Sequence, residues 1–107
     1  MNEYIELQGA SGPALRFRLR SDAAPLPAMA GNFVCVRMGE EGPQVVACGA
    51  TNSLMTASSV WEAAVREHGA EALYVRLNVA GATRALELES LVERHRPPLV
   101  VTEGPTG

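Results

Sequence analysis

The sequence predicts one α+β domain, in which a small antiparallel sheet is covered by two helices and extended by an N-terminal β-hairpin. Short segments with alternating apolar residues, typical of strands, flank turns rich in glycine and proline. Two longer segments carry apolar residues at helical spacing, and each is followed by a residue that ends a helix. At 107 residues, the chain has the length of a single domain that can bury a core without disulfides or metals.

The composition is that of a globular protein, with 47% hydrophobic and 20% charged residues. The N-terminus lacks the basic and apolar segments of a signal peptide, and no apolar run approaches the roughly 20 residues that span a bilayer. We therefore expect a cytoplasmic protein that does not bind membranes. The formal net charge is −3, so binding to nucleic acid would require a local basic patch.

The N-terminal hairpin, residues 1–22, contains such a patch. Its strands are "YIELQG" and "ALRFRLR", joined by the turn "GASGP". In the second strand, apolar residues alternate with arginines. The apolar residues are Leu15, Phe17 and Leu19, and the arginines are Arg16, Arg18 and Arg20. Strand geometry spaces these arginines about 6.8 Å apart, near the phosphate spacing of an extended single strand of nucleic acid. The alternative is a solvated strand face whose charge prevents aggregation.

The core of the domain is predicted to span residues 31–100. It follows a linker rich in proline, alanine and glycine (21–31) and precedes a flexible tail (101–107). Its first elements are a hairpin from about Phe33 to Cys48 and a helix from about Ser53 to His68, which ends at Gly69. A strand over 72–79 follows. The second helix runs from the N-cap Thr83 to about Arg96 and ends at Pro97 and Pro98.

The two cysteines, Cys35 and Cys48, lie on the two arms of the core hairpin. Two thiols and two distant histidines do not provide the four clustered ligands that a zinc site usually needs. We interpret both cysteines as small hydrophobic core residues. The sequence predicts no metal site and no cofactor.

Taken in order, several motifs resemble the GIY-YIG nuclease domain of homing endonucleases and excision-repair nucleases. "GNF" (31–33) and "ACG" (47–49) stand where that family has its two motifs, and "GATNSL" (49–54) resembles the continuation into its first helix. "LVERHRPPL" (91–99) resembles the family's helix end. "WEAAVREHGA" (61–70) and the strand after it are similar to a bacterial subgroup that also carries an N-terminal hairpin. The resemblance covers most of the chain.

The resemblance implies metal-assisted cleavage of phosphodiester bonds by tyrosines, an arginine and a glutamate. Such chemistry needs a group that accepts a proton, a carboxylate that binds the metal and a cation that stabilises the phosphate. The family also has an asparagine after the prolines. In this chain the five corresponding positions hold Phe33, Ala47, Ala57, Leu88 and Val100. These side chains cannot accept a proton, bind a metal or stabilise a phosphate. Leu88 also fits the core-facing stripe of the second helix. We therefore expect a degenerate domain that is not an enzyme.

Three hypotheses of function follow. The first is a protein-binding or regulatory module, whose partner is another protein or a second copy of the chain. Its contact surface would be the altered nuclease site, which loses its charged groups and should be apolar; the candidates are Phe33, Ala47, Thr51, Asn52 and Ala57. The second is a DNA- or RNA-binding module that uses Arg16, Arg18 and Arg20. The third is a residual nuclease in which Glu87 or Glu89 ligates Mg²⁺.

Overall fold

A single sheet of six strands carries one helix on each of its two faces. The computed structural model describes residues 2–20 and 26–102. The elements are strands β1 (Tyr4–Leu7), β2 (Leu15–Leu19), β3 (Gly31–Gly39), β4 (Gly42–Thr51), β5 (Ala72–Leu77) and β6 (Leu99–Thr102), with helices α1 (Ala57–His68) and α2 (Gly81–His95). The strand order is β1-β2-β5-β3-β4-β6. Within the described ranges, no helix is long and apolar enough to cross a membrane.

The sheet is mixed, because β6 runs parallel to β4 while the other neighbouring strands are antiparallel. The predicted α+β class with two helices is confirmed, but the prediction of an antiparallel sheet is wrong. Strands β5 and β6 run in the same direction, and α2 is the helical crossover that such a parallel connection needs. Val101 and Thr102, which we assigned to the tail, belong to β6. The rest of the predicted tail, 103–107, lies outside the described residues.

The N-terminal hairpin is part of the main sheet, because β2 pairs with β5. The predicted alternation in β2 is confirmed: its apolar residues face the core and its arginines face away. The buried Tyr74 of β5 fixes the start of the chain, since its hydroxyl donates to the carbonyl of Asn2 at 2.7 Å. Burial raises the pKa of Tyr74. Part of the predicted linker, residues 21–25, lies outside the described residues.

The hairpin of β3 and β4 explains a glycine in one of the sequence motifs. Phe33 lies opposite Gly49 in the register. A Cβ atom at Gly49 would lie 2.5 Å from the Phe33 ring, which is closer than two carbon atoms can approach. The glycine of "ACG" therefore provides the space in which this ring packs.

A β-bulge in β4 changes which side chains face which helix. Cys35 pairs with Ala47 and Val36 pairs with Val45, so Val46 has no opposite residue. The bulge leaves Val46 and the adjacent Ala47 in the same hydrophobic cluster, although neighbouring residues of a regular strand point to opposite faces.

The first helix ends where the sequence predicted. A short 3-10 helix, Leu54–Thr56, leads into α1. Gly69 adopts the left-handed conformation, with φ of 67°, and its N–H donates to the carbonyl of Val65 at 3.2 Å. This geometry is the usual glycine end of a helix.

The second helix begins three residues earlier than the sequence predicted. Its N-cap position is Ala80, whose carbonyl accepts the N–H of Arg84 at 2.9 Å. The prediction that Thr83 is the N-cap is wrong, since Thr83 already lies inside the helix. The Arg84 side chain takes part in fixing this end by donating to the carbonyls of Asn78 and Val79 at 3.0 and 2.9 Å.

Two hydrophobic clusters lie on opposite sides of the sheet. Helix α2 contributes Leu88 and Leu91 to the first, and α1 contributes Ala57 and Ala64 to the second. Strand β3 supplies side chains to both clusters, alternating along its length between Phe33 and Cys35 on the α1 side and Val34 and Val36 on the α2 side. The domain therefore has three layers, with the sheet between the helices.

A substitution at Leu88 tests whether the hydrophobic cluster on the α2 side contributes to stability. Its side chain is 5% exposed and packs in the first cluster, as the helical pattern predicted. We expect Leu88→Ala to lower the free energy of unfolding by about 2–5 kcal/mol. Leu86→Ala is the matched control, because Leu86 lies on the same helix but is 65% exposed. Denaturant unfolding measures both, and equal effects of the two changes would contradict the assignment of Leu88 to the core.

The reactivity of the two cysteine thiols tests the burial of both faces of the sheet. Cys35 lies in the α1-side cluster and Cys48 in the α2-side cluster, and burial raises the pKa of each thiol from 9.0 to about 12. We expect neither to react with a thiol reagent at pH 8 until the protein is unfolded. Between pH 9 and pH 12 the unfolded chain loses these protons and the folded chain retains them, so stability should fall across this range. Rapid modification of the folded protein would contradict the burial.

Candidate functional site

The five positions that the resemblance to a nuclease domain singled out do not form one surface. Phe33, Ala47 and Ala57 are fully buried together on the α1 side of the sheet. Leu88 is buried on the α2 side, beside the exposed Val100 of β6, and these two residues line a shallow groove. The sheet therefore separates three of the positions from the other two.

The predicted protein-contact surface is covered in the folded chain. Of its five candidates, Phe33, Ala47, Thr51 and Ala57 are buried and only Asn52 is exposed. The expectation of an exposed apolar patch at these residues is wrong. The small side chains of Ala47 and Ala57 let α1 and the preceding 3-10 helix pack directly on the sheet, where they exclude solvent.

Thr51 and Asn52 have structural roles at this end of the sheet. The Thr51 hydroxyl accepts the N–H of Ser53 at 3.1 Å and lies 2.9 Å from the hydroxyl of Thr56. The side-chain amide oxygen of Asn52, Oδ1, accepts a hydrogen bond from the Arg84 guanidinium at 2.9 Å. These contacts join the turn after β4 to the 3-10 helix and to α2.

A polar network beneath α2 includes one of the predicted metal ligands. The Glu87 carboxylate accepts from Arg76 at 2.9 and 3.3 Å and from the amide of Asn78 at 3.0 Å. Asn78 also donates to the buried Asn32, whose amide donates to the carbonyl of Arg84. These bonds satisfy a buried side chain that the sequence analysis did not identify, Asn32, and they hold Glu87 away from solvent.

The residual-nuclease hypothesis has little support from the positions of its carboxylates. Glu87 is paired with Arg76, and Glu89 is exposed on the other side of the helix. Within residues 2–20 and 26–102, no group of three or more His, Cys, Asp or Glu side chains is placed to hold a metal ion.

The arginines of β2 form a second candidate site on the α1 side of the sheet. Helix α1 packs on β3 and β4, and the surface of β1 and β2 beyond it carries polar side chains. The register places Tyr4 opposite Arg18 and Glu6 opposite Arg16. The Arg16 guanidinium stands over the Tyr4 ring, 4.1 Å from its centroid. We refer to Tyr4, Arg16, Arg18, Arg20 and Leu77 as the arginine face.

The arginine face is concave, and one of its donors lacks a partner. Its residues line a depression of about 300 Å³, to which Pro27 also contributes and which no described Asp or Glu lines. The Nε atom of Arg20 is buried and has no hydrogen-bond partner among the described residues. A buried donor of a charged group is costly to leave unpaired.

The structure places Arg16, Arg18 and Arg20 on one face of the sheet, as the alternation predicted. The aromatic side chain beside them was not predicted. The one aromatic residue of β2 itself, Phe17, faces the core and not the side of the arginines. Tyr4 comes instead from the neighbouring strand, through the cross-strand register. Only the pairing of β1 with β2 could have revealed it, because residues opposite each other share a face.

Comparison of the chain with protein-family models, with curated proteins and with solved structures found no match.

The polar network beneath α2 gives a test of its structural role. Glu87→Ala would leave Arg76 and Asn78 without their acceptor, and we expect it to lower the free energy of unfolding by about 1–3 kcal/mol. Glu89→Ala, which removes the same group from an exposed position of the helix, should have an effect below about 0.5 kcal/mol. Thermal or denaturant unfolding measures both. Indistinguishable variants would show that the network does not stabilise the fold.

Proposed function

We propose that the protein is a non-catalytic binding module that binds single-stranded nucleic acid on the arginine face. The observation that carries this proposal is the convergence of Arg16, Arg18 and Arg20 around one open depression, in a chain whose net charge is −3. Positive charge is thus concentrated where the sheet is open, which is the local patch that an acidic protein needs to bind nucleic acid.

The chemistry of the face suits a phosphate backbone with exposed bases. Arg16 and Arg18 lie on one face of one strand, at a spacing of about 6.8 Å. A guanidinium stacked on an aromatic ring keeps its N–H groups at its edge, so Arg16 can lie over Tyr4 and still donate to a phosphate. The partly exposed Tyr4 and Leu77 offer apolar surface to a base. Single-stranded binders combine the same two components.

The acidic neighbours of the face weaken it without blocking it. Glu3 lies 3.8 Å from Arg18, and both side chains are more than half exposed. An exposed pair of this kind contributes little and is readily exchanged for a phosphate. Glu6 opposite Arg16 lowers the local charge further. We therefore expect modest affinity with strong dependence on salt.

The nuclease resemblance supports the same class of ligand. A domain that resembles GIY-YIG nucleases and lacks their catalytic side chains would keep contact with nucleic acid while losing cleavage. A protein partner, including a second copy of the chain, is the competing proposal. Of the residues chosen for that contact, only Asn52 is exposed, so the partner would need a different surface.

The test is binding of a fluorescein-labelled ten-nucleotide oligo(dT), followed by fluorescence anisotropy. Three phosphate contacts predict an affinity that falls about 20-fold between 50 and 200 mM salt. Replacing Arg16, Arg18 and Arg20 together with Gln should weaken binding roughly tenfold or more and reduce the salt dependence. The control replaces Arg66 and Arg96 with Gln and is compared with the double replacement of Arg16 and Arg18, which changes the net charge equally; Arg66 and Arg96 are exposed and lie elsewhere.

Two outcomes would contradict the proposal. The first is the absence of saturable binding at 50 mM salt, and the second is an equal loss of affinity in both double variants, which would indicate a general effect of charge. Sedimentation of the same samples measures self-association. A dimer that the Gln variants leave unchanged, together with absent oligonucleotide binding, would favour the protein-partner proposal.

A further inference from the structure

Both histidines of the chain and two of its arginines meet at the end of the sheet opposite to the start of the helices. Arg37, His68, Arg94 and His95 line a depression of about 450 Å³, and no Asp or Glu is among its described lining residues. The four side chains come from three elements, β3, α1 and α2. The depression is separate from the arginine face, with which it shares no lining residue.

The fold creates this convergence. Helices α1 and α2 lie on opposite faces of the sheet and end at His68 and His95. Between them, β6 pairs with β4 only from Ala47 onward. The outer edge of residues 43–46 therefore has no strand beside it in the described ranges, and these residues form the floor of the depression.

Capping of the helix ends accounts for only part of the positive charge. Each helix C-terminus carries roughly half a negative charge, so two of them offset about one positive charge. Arg37 and Arg94 alone supply two. Cations placed only to neutralise the helix ends would not need this surplus.

Several donors in the depression remain unused. Arg37 uses three N–H groups, two on Gln44 and one on the carbonyl of His68, and a guanidinium has five. The side chains of Arg94 and His68 make no hydrogen bond or ion pair within residues 2–20 and 26–102. The depression thus offers guanidinium and imidazole donors from several directions.

We infer that this depression is a binding site for a phosphate group, either free phosphate or the phosphate of a small metabolite. Donors that approach from both faces of a sheet suit a tetrahedral oxyanion, whose oxygens point in several directions, better than a planar carboxylate. This inference does not depend on the proposed binding of nucleic acid to the arginine face.

The experiment is a titration of the ¹⁵N-labelled protein with sodium phosphate, and separately with phenyl phosphate, at constant pH and ionic strength. Saturable shifts are expected at the amides of residues 37, 44–46, 68 and 94–96. Arg94→Gln should weaken binding roughly tenfold, the effect of losing one charged hydrogen bond. Arg66→Gln is the control, because it removes an exposed arginine from a helix's last turn outside the depression.

Each result bears directly on the inference. Tighter binding of phenyl phosphate than of phosphate would assign the site to a larger phosphorylated ligand, and equal binding would assign it to phosphate itself. Shifts confined to the arginine face, no saturation by about 50 mM, or equal loss in Arg94→Gln and Arg66→Gln would each overturn it. Arg94→Gln is the decisive variant, since Arg37 also holds Gln44 and a change there could loosen the fold.

Discussion

Strand β3 is the element on which the arrangement of this domain depends. It pairs with β4 on one edge and β5 on the other, and residues 31–36 are all buried. A strand buried on both faces needs a covering layer on each side. The helices must therefore lie on opposite sides of the sheet, and the crossover that places α2 there also makes β6 parallel to β4.

The two candidate binding surfaces are consequences of this constraint. The helices cover β3 and β4 well, but α1 does not extend over β1 and β2, which leaves the arginine face open. The same arrangement brings both helix ends to one edge of the sheet, where β6 is too short to cover residues 43–46. Polar side chains with unused hydrogen-bond donors occur at both places where the helices leave the sheet uncovered, the arginine face and the edge of residues 43–46.

The sequence predicted elements whose determinants are local. The end of α1 at Gly69 and the alternation of β2 depend on one residue's conformation and on a period of two. The burial of Leu88 followed from its helical spacing. Local patterns do not state which residues come together across the sheet, however. The parallel pairing of β6, the bulge at Val46 and the contact of Tyr4 with Arg16 arise from tertiary structure, and so they were missed.

The predicted partner surface shows why this distinction matters. Phe33, Ala47 and Ala57 carry no polar groups, and the sequence predicted from this that they form an exposed patch. Apolar side chains also permit tight packing, and the Phe33 ring does pack over Gly49. An apolar residue at a position where a polar one was expected is thus evidence for burial as much as for binding. Polar groups that keep unused donors, such as Arg20 and Arg94, are the better guide, because folding alone does not explain them.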